Sequence, residues 1–285
     1  MDSARQATPS VTLVIPALNE AGSIGEVTRS FKRAAAEANA TIFRDNPVQW
    51  EVLVVDGVSE DGTRAIAEAE GARVIVESRL GYGRAYKTGF AAALGCILCA
   101  SDGDSTYPVE VLPALVHELL ENRIDFLFGN RFARLSRGAM SLEHRIGNRV
   151  LNTFTNVAYH RYLKLLSGHA LNDSQSGFWV FRRQLLSQLD LKENGMAFSE
   201  ELKIEAITKG FHVVEAPIEY RPRSGSPKLS SWRDGLGNLR HLASKRFEIA
   251  RQSRSAHSGL RPGETSINSG THSGSQSTSN PEKFP

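Results

Sequence analysis

Between residues 10 and 130, short runs of β-branched residues alternate with segments that carry apolar residues at helical spacing. This alternation is the strongest constraint on the fold, because it is typical of a mainly parallel sheet with helices on both faces. The predicted strands comprise residues 11–16, 51–56, 72–77, 96–100 and 125–129. The predicted helices comprise residues 22–38, 61–70, 84–94 and 109–121. We therefore predict an α/β domain that binds its ligands at the carboxyl ends of the strands.

The pattern changes after residue 130. A longer helical stretch at residues 142–159 precedes a loop rich in Gly, Asn, Asp and Ser, and a further helix and strand end at residue 220. After residue 251 the composition is mostly Ser, Gly, Thr, Asn and Pro, which cannot offset the entropy cost of ordering. The sequence thus predicts a flexible N-terminus at residues 1–10, one domain at residues 11–251 and a disordered tail at residues 252–285.

Composition excludes several classes of protein. The 285 residues are 40% hydrophobic and 23% charged, which excludes a wholly disordered chain. A net charge of +3 is too small to indicate a nucleic-acid partner. The sequence has no apolar run of the ~18 residues that a membrane span needs, and no signal peptide. We expect a soluble, cytoplasmic protein, and nothing in the sequence indicates its oligomeric state.

Cys96 and Cys99 have the spacing of a C-x-x-C motif. Residues three apart on a strand point to opposite faces of the sheet. We therefore expect two buried structural thiols rather than a redox or metal site.

Asp102 and Asp104 directly follow the apolar run at residues 96–100. Two carboxylates that leave the end of one buried strand need a nearby cation if both are to stay ionised. Hard oxygen ligands in this arrangement suit Mg²⁺ or Mn²⁺, whose coordination is usually completed by substrate phosphates. A solvated turn is the alternative, because Asp-Gly is also a common turn sequence.

Two further polar loops follow predicted strands. Residues 16–20 close the first strand, and residues 56–63 close the second. Each loop is explained by helix capping alone. Together with the Asp102 loop, however, they surround one crevice with carboxylates, amides and helix N-termini. Such a crevice suits a nucleotide diphosphate that is held through a metal ion.

Eight motifs resemble, in their order, those of the family-2 nucleotide-sugar glycosyltransferases, and most closely those of the polyprenyl- and dolichyl-phosphate sugar transferases. They lie within residues 11–251 and read VIPALNE, VVDGVSEDGT, GYGRAYKTGF, SDGDSTYP, GNRF, NDSQSGFWVFRR, FSEELKIEA and YRPRSGSPKLSSWRDGLGNL. The resemblance implies a GT-A-type, Rossmann-like fold with a mixed, mainly parallel sheet flanked by helices. It also implies a nucleotide-sugar half at residues 11–130 and an acceptor-side half at residues 131–251, in a single catalytic domain.

The resemblance implies a role for each matching residue. Asp102 and Asp104 would bind Mg²⁺ or Mn²⁺ and the diphosphate, with Asp104 the more direct ligand. Asp56 would accept a hydrogen bond from the nucleobase. The remaining donor-site residues would be Pro16, Ala17, Asn19, Glu20 and Arg84. The residues that face the donor diphosphate or acceptor phosphate would be Arg131, Arg223 and Lys228.

The implied reaction is an inverting hexosyl transfer from a UDP-sugar or GDP-mannose. A lipid phosphate is already anionic and needs no general base, whereas a hydroxyl acceptor needs one. The base candidates are Asp173, Glu200 and Glu201. The resemblance thus predicts a polyprenyl-phosphate hexosyltransferase at the cytoplasmic face of a membrane. A soluble transferase that acts on a small-molecule hydroxyl and a catalytically silent nucleotide-binding protein are the alternatives.

The sequence after residue 231 predicts a basic amphipathic helix. Apolar residues, including Trp232, Leu236, Leu239 and Phe247, recur at helical spacing, and arginines and lysines occupy the other faces. This pattern fits a helix that packs on its own domain, and it also fits peripheral contact with an anionic membrane.

Overall fold

The computed structural model describes residues 10–166, 170–223 and 231–258. Within these ranges seven strands form one sheet. The strands are β1 (Ser10–Ala17), β2 (Gln49–Asp56), β3 (Arg73–Val76), β4 (Ile97–Ala100), β5 (Phe126–Leu135), β6 (Trp179–Arg182) and β7 (Val213–Tyr220). The α-helices of the described residues are α1 (Ile24–Ala40), α2 (Thr63–Ala69), α3 (Tyr82–Ala92), α4 (Leu112–Glu121), α5 (Leu142–Ala158), α6 (His160–Leu166), α7 (Phe198–Thr208) and α8 (Ser231–Ser258).

The strand order is β3-β2-β1-β4-β6-β5-β7. Strands β3, β2, β1 and β4 are parallel, β6 runs antiparallel between β4 and β5, and β7 is parallel to β5. From β1 the chain first adds strands on one side of the sheet, β2 and then β3, and afterwards adds β4 on the other side. In open α/β sheets such a switch point opens a crevice at the carboxyl ends of the strands.

The central strands are buried on both faces, which explains their nearly continuous apolar sequences. All four residues of β4 are buried, and so are residues 11–15 of β1. Helices α1 and α4 cover one face, where Phe31 and Leu119 are fully buried in the core. The predicted α/β sheet with helices on both faces is confirmed.

Strand β6 has no counterpart in the sequence prediction. Its four residues pair with β4 and β5, which are distant in sequence, so its local sequence alone does not identify it as a strand. Strand β5 also continues past residue 129 to Leu135, beyond its predicted end. The expectation for the cysteines is wrong in one respect, because Cys96 precedes β4 and is exposed, whereas Cys99 is buried.

Helix α8 extends to Ser258, past the predicted start of the disordered tail at residue 252. Extending a formed helix adds one hydrogen bond for each residue, which compensates a polar sequence locally. The rest of the tail lies outside the described residues. Up to Phe247 the helix includes buried residues, Asn238, Leu242 and Lys245, and therefore packs on its own domain. In the part of the chain that the structure covers, no helix is both long and apolar enough to cross a bilayer.

Candidate active site

Arg223 brings three of the predicted motifs together at the switch point. Its Nη2 atom donates to Glu20 Oε1, which follows β1, over 3.1 Å. Its Nε atom lies 3.4 Å from Asp104 Oδ2, which follows β4. Arg223 itself follows β7, so residues from three regions of the chain meet in one polar cluster.

The carboxylates of Asp102 and Asp104 have different surroundings. Asp104 Oδ1 accepts hydrogen bonds from the backbone N–H (3.1 Å) and the hydroxyl (2.6 Å) of Thr106. Asp102 Oδ1 accepts from the hydroxyl groups of Tyr82 at 3.3 Å and Tyr86 at 3.5 Å. Burial, together with the negative charge of Asp104, raises the pKa of Asp102 to about 7. The site therefore has an excess of negative charge that a cation would relieve.

These residues fit a divalent cation. No described residue donates a hydrogen bond to Asp102 Oδ2, so this hard oxygen is available to a metal, and Asp104 Oδ2 forms an ion pair with Arg223 at 3.4 Å that a bound cation would compete with. Across the described ranges, no group of three His, Cys, Asp or Glu side chains forms a site that the protein alone would complete. Two carboxylates with substrate phosphates are the usual protein site for Mg²⁺.

The loops after β1 and β2 hold each other in place. The backbone N–H of Asn19 donates to Ser59 Oγ over 2.9 Å, and Asn19 Oδ1 accepts from the backbone N–H of Glu60 over 2.9 Å. Asn19 has a φ of +52°, a left-handed conformation that asparagine tolerates better than most residues. The backbone N–H of Glu20 donates to Thr63 Oγ1. The two loops thus form one continuous edge of the crevice.

Asp56 lies beneath this edge, at the end of β2. It pairs with Ala17 of β1, next to Pro16, which pairs with Val55. Burial would raise the pKa of Asp56, but hydrogen bonds from Ser59 and Arg64 lower it below its usual range. The carboxylate is fully buried, and Arg64 Nη2 lies 2.8 Å from Asp56 Oδ2. Contact between Asp56 and the nucleobase of the donor therefore requires the Arg64 side chain or the adjoining loop to move.

Arg131 and Asp173 form a buried ion pair. Arg131 Nε lies 2.7 Å from Asp173 Oδ2, and Arg131 Nη2 lies 2.8 Å from Asp173 Oδ1. Burial alone would raise the pKa of Asp173, but the guanidinium charge holds it below its usual range. In this structure Arg131 fixes the loop at residues 172–177. The predicted role of Asp173 as a base requires this pair to separate, whereas the predicted contact of Arg131 with phosphate stays a prediction.

The other two base candidates are also fully buried. Glu200 Oε1 accepts from the side chains of Gln175 and Ser174, and no described residue donates to Glu200 Oε2. Burial raises the pKa of Glu200 well above its usual range, which disfavours the charged form that a general base needs. Glu201, the next residue of α7, accepts hydrogen bonds from the backbone N–H groups of Lys192 and Glu193 and so holds a different loop from the one at Glu200.

The segment at residues 81–84 packs against residues 193–198, as its glycines allow. A Cβ atom added to Gly83 would lie 2.5 Å from Phe198 Cβ and 2.9 Å from Glu193 O. The backbone N–H of Arg84 donates to Asn194 O, and Arg84 Nε is buried with no hydrogen-bond partner among the described residues. Lys228 lies outside the described residues, so its predicted role stays a prediction.

Three side chains near the site were absent from the sequence prediction. Tyr82 and Tyr86 contact Asp102, and their i, i+4 spacing on α3 was the available signal. Lys203 Nζ donates to the carbonyl oxygens of Ser174 and Ser176, both at 2.7 Å. No sequence signal distinguishes this buried lysine from a solvated one.

Comparison with known proteins identifies a matching family. The family model described as glycosyl transferase family 2 matches residues 12–190. A dolichyl-phosphate hexose transferase of Haloferax volcanii is 33% identical over 73% of this chain and 86% of its own length. A low-salt glycan biosynthesis hexosyltransferase of the same organism is 34% identical over 82% of this chain. This chain spans about half (53%) of the length of that second relative.

A polyprenol monophosphomannose synthase of Mycolicibacterium smegmatis is 32% identical over 64% of this chain and 71% of its own length. Among solved structures, a glucosyl-3-phosphoglycerate synthase of Mycobacterium tuberculosis in complex with Mn²⁺, UDP and glucosyl-3-phosphoglycerate has a similar fold. Its TM-score is 0.63 at 22% identity, and the match covers 86% of this chain and 81% of that one. This similarity confirms the predicted GT-A fold.

Proposed function

Because the chain belongs to glycosyl transferase family 2, we propose that it transfers a hexose from a nucleotide sugar to the phosphate of a polyprenyl-type lipid. The names of two relatives support this acceptor class, since one is a dolichyl-phosphate hexose transferase and one a polyprenol monophosphomannose synthase. The Asp102–Asp104 pair and the interlocked loops after β1 and β2 supply the site for the donor.

The observation that carries the choice of acceptor is the burial of the three base candidates. Asp173 is neutralised by Arg131, burial disfavours ionisation of Glu200, and Glu201 binds two backbone N–H groups. A hydroxyl acceptor would have to lose its proton to a base within hydrogen-bond distance. A phosphate oxygen is already an anion at neutral pH, so this arrangement favours a phosphate acceptor.

Arg223 is the cation best placed to position the reacting phosphates. Its guanidinium group lies between Glu20 and Asp104, and 28% of its side chain is exposed. We propose that it orients a phosphate beside the Asp pair, so that the acceptor oxygen attacks the anomeric carbon opposite the leaving diphosphate, with inversion. Mg²⁺ or Mn²⁺ bound to Asp102 and Asp104 would supply Lewis-acid stabilisation of the charge on that diphosphate. Solved structures with this fold contain Mn²⁺ or Mg²⁺ together with UDP.

The test is transfer of radiolabelled sugar from UDP-glucose, UDP-N-acetylglucosamine or GDP-mannose, with Mg²⁺ or Mn²⁺ present. One arm contains a short-chain polyprenyl phosphate and a second contains phosphoglyceric acid, which is bound in solved structures of the same fold. We expect label to enter the organic phase only in the first arm. Label in a water-soluble product of the second arm, with none in lipid, would favour the small-molecule alternative.

A further inference from the structure

Helix α5 exposes an apolar face to solvent. Of the eleven exposed large apolar side chains among the described residues, four lie on this one helix. They are Leu142, Ile146, Val150 and Val157, with exposed fractions of 70%, 54%, 55% and 73%. Their spacings of four, four and seven residues align them along one side of the helix. A surface helix ordinarily carries polar residues on its solvent side, so this pattern indicates an external partner.

The opposite side of α5 is anchored next to the candidate active site. Asn152 Nδ2 donates to the carbonyl oxygen of Asn172, and Asn152 Oδ1 accepts from the backbone N–H of Ser174 over 2.8 Å. Asn148 Oδ1 accepts from Arg131 Nη2 over 3.4 Å. These contacts fix the rotation of the helix about its axis. The exposed apolar side chains therefore point outward while the helix borders the loop at residues 172–177.

The chain segment that contains helix α5 is strongly basic. Residues 134–161 contain five arginines and a single acidic residue, Glu143. All five arginines are exposed, and none has a salt bridge with a carboxylate of the described residues. They are Arg134, Arg137, Arg145, Arg149 and Arg161. Cations beside an exposed apolar strip are complementary to a surface that combines anionic head groups with hydrocarbon.

We propose that the apolar face of α5, defined by Leu142, Ile146, Val150 and Val157, docks on an anionic lipid bilayer. The apolar side chains would enter the boundary between head groups and acyl chains, and the arginines would bind lipid phosphates. This inference rests on the proposed function, because a polyprenyl phosphate acceptor resides in such a bilayer. Docking through α5 brings the loop at residues 172–177 close to the acceptor.

Flotation of the full chain with vesicles tests the proposal. One set contains equal amounts of phosphatidylglycerol and phosphatidylcholine, and the other contains phosphatidylcholine alone. We expect wild-type protein to float with the anionic vesicles and to bind less at high salt, because salt screens exposed charges. The Ile146→Ser/Val150→Ser double variant should bind anionic vesicles about tenfold more weakly, since it removes two apolar side chains from the bilayer.

Leu94→Ser is the matched control, because Leu94 is also exposed, at 73%. It precedes β4 and so lies at the amino-terminal end of that strand, whereas the candidate active site lies at the carboxyl end. It should bind vesicles like the wild type. Equal thermal midpoints of all variants would establish that they are folded. Equal binding of the double variant and the wild type would overturn the proposal. So would a wild-type dimer in sedimentation that the double variant loses, with no flotation, because the partner would then be a second copy.

Transfer assays separate this proposal from the proposed function. The double variant should keep wild-type activity on a short-chain polyprenyl phosphate in solution and lose activity on a long-chain acceptor in vesicles. Flotation that depends on α5, with no transfer to either lipid phosphate, would overturn the proposed function and leave the docking surface supported. Transfer to the soluble acceptor without flotation of the wild type would overturn the docking surface alone.

Discussion

Asp173 directs both of its carboxylate oxygens at the guanidinium group of Arg131, and the side chains are 0% and 10% exposed, respectively. The backbone N–H of Arg131 adds a third hydrogen bond to Asp173 Oδ2 over 3.0 Å. This pair ties β5 to the loop at residues 172–177, which borders both α5 and the Asp102 side of the site. The acceptor side of the domain is thus built around a buried ion pair.

Removing one partner of this pair leaves the other charge buried. We expect Asp173→Asn to lower the free energy of unfolding by about 3 kcal/mol, because an uncompensated guanidinium group remains in the interior. Urea denaturation measures this change. The Arg131→Met/Asp173→Asn double variant should be destabilised by less than the sum of the single variants. Additive effects would show that the two side chains do not interact energetically.

Replacing Arg223 should affect catalysis rather than stability. We expect Arg223→Ala to lower kcat for sugar transfer about 100-fold, because the variant loses the guanidinium group that donates hydrogen bonds to the reacting phosphates. Arg221→Ala is the matched control, since Arg221 is two residues away and pairs with Glu110 and Glu219 instead. Steady-state kinetics at saturating donor gives kcat for both. Equal kcat values for the two variants would contradict the assigned role of Arg223.

A methyl group at Gly83 should destabilise the fold. The added carbon would lie 2.5 Å from Phe198 Cβ, so α3 and the start of α7 must move apart. We expect a loss of about 1–3 kcal/mol in the free energy of unfolding. Gly147→Ala on α5 meets no atom within 4 Å and should instead stabilise by up to about 1 kcal/mol, from helix propensity. Thermal or urea unfolding compares the two, and a loss of equal size in both variants would refute the packing argument.

Glu200 should make stability depend on pH. Burial raises its pKa in the folded protein, so the folded state retains a proton that the unfolded state loses. Above the ordinary Glu pKa, stability therefore falls as pH rises, by up to about 1.4 kcal/mol for each pH unit, until the folded group ionises. Glu200→Gln keeps a side-chain oxygen that accepts hydrogen bonds and replaces the ionisable carboxyl group with an amide that does not titrate. Its stability relative to the wild type should rise as the pH increases above the ordinary Glu pKa, and a constant difference would contradict the raised pKa.

Local sequence patterns are sufficient to predict the elements that position the donor site. The β-branched runs of β1, β2 and β4, together with the polar residues that follow them, indicate a crevice at the carboxyl ends of these strands. Asp102 and Asp104 lie where those patterns indicate, at the end of β4. Strand succession in a parallel sheet then determines which loops meet, because the carboxyl ends of such strands share one edge.

Contacts between distant segments could not be predicted in the same way. Asp173 and Arg131 are 42 residues apart, and nothing local to either indicates that they neutralise each other. Helix α7 contains Glu200, Glu201 and Lys203, which a helical pattern assigns to solvent, yet all three are fully buried. Their partners come from the loops at residues 172–177 and 190–193, so tertiary contacts override the ordinary preference of charged residues for the surface.

The most direct test of the central claim compares two acceptors that differ only in the phosphate group. Transfer of labelled hexose is measured to a short-chain polyprenyl phosphate and to the polyprenol of the same chain length, in wild type and in Asp104→Ala. The account predicts that the wild type glycosylates the phosphate and not the alcohol, and that Asp104→Ala loses the activity. Equal transfer to the polyprenol would contradict it, because an alcohol acceptor requires a base that the buried Asp173, Glu200 and Glu201 do not supply.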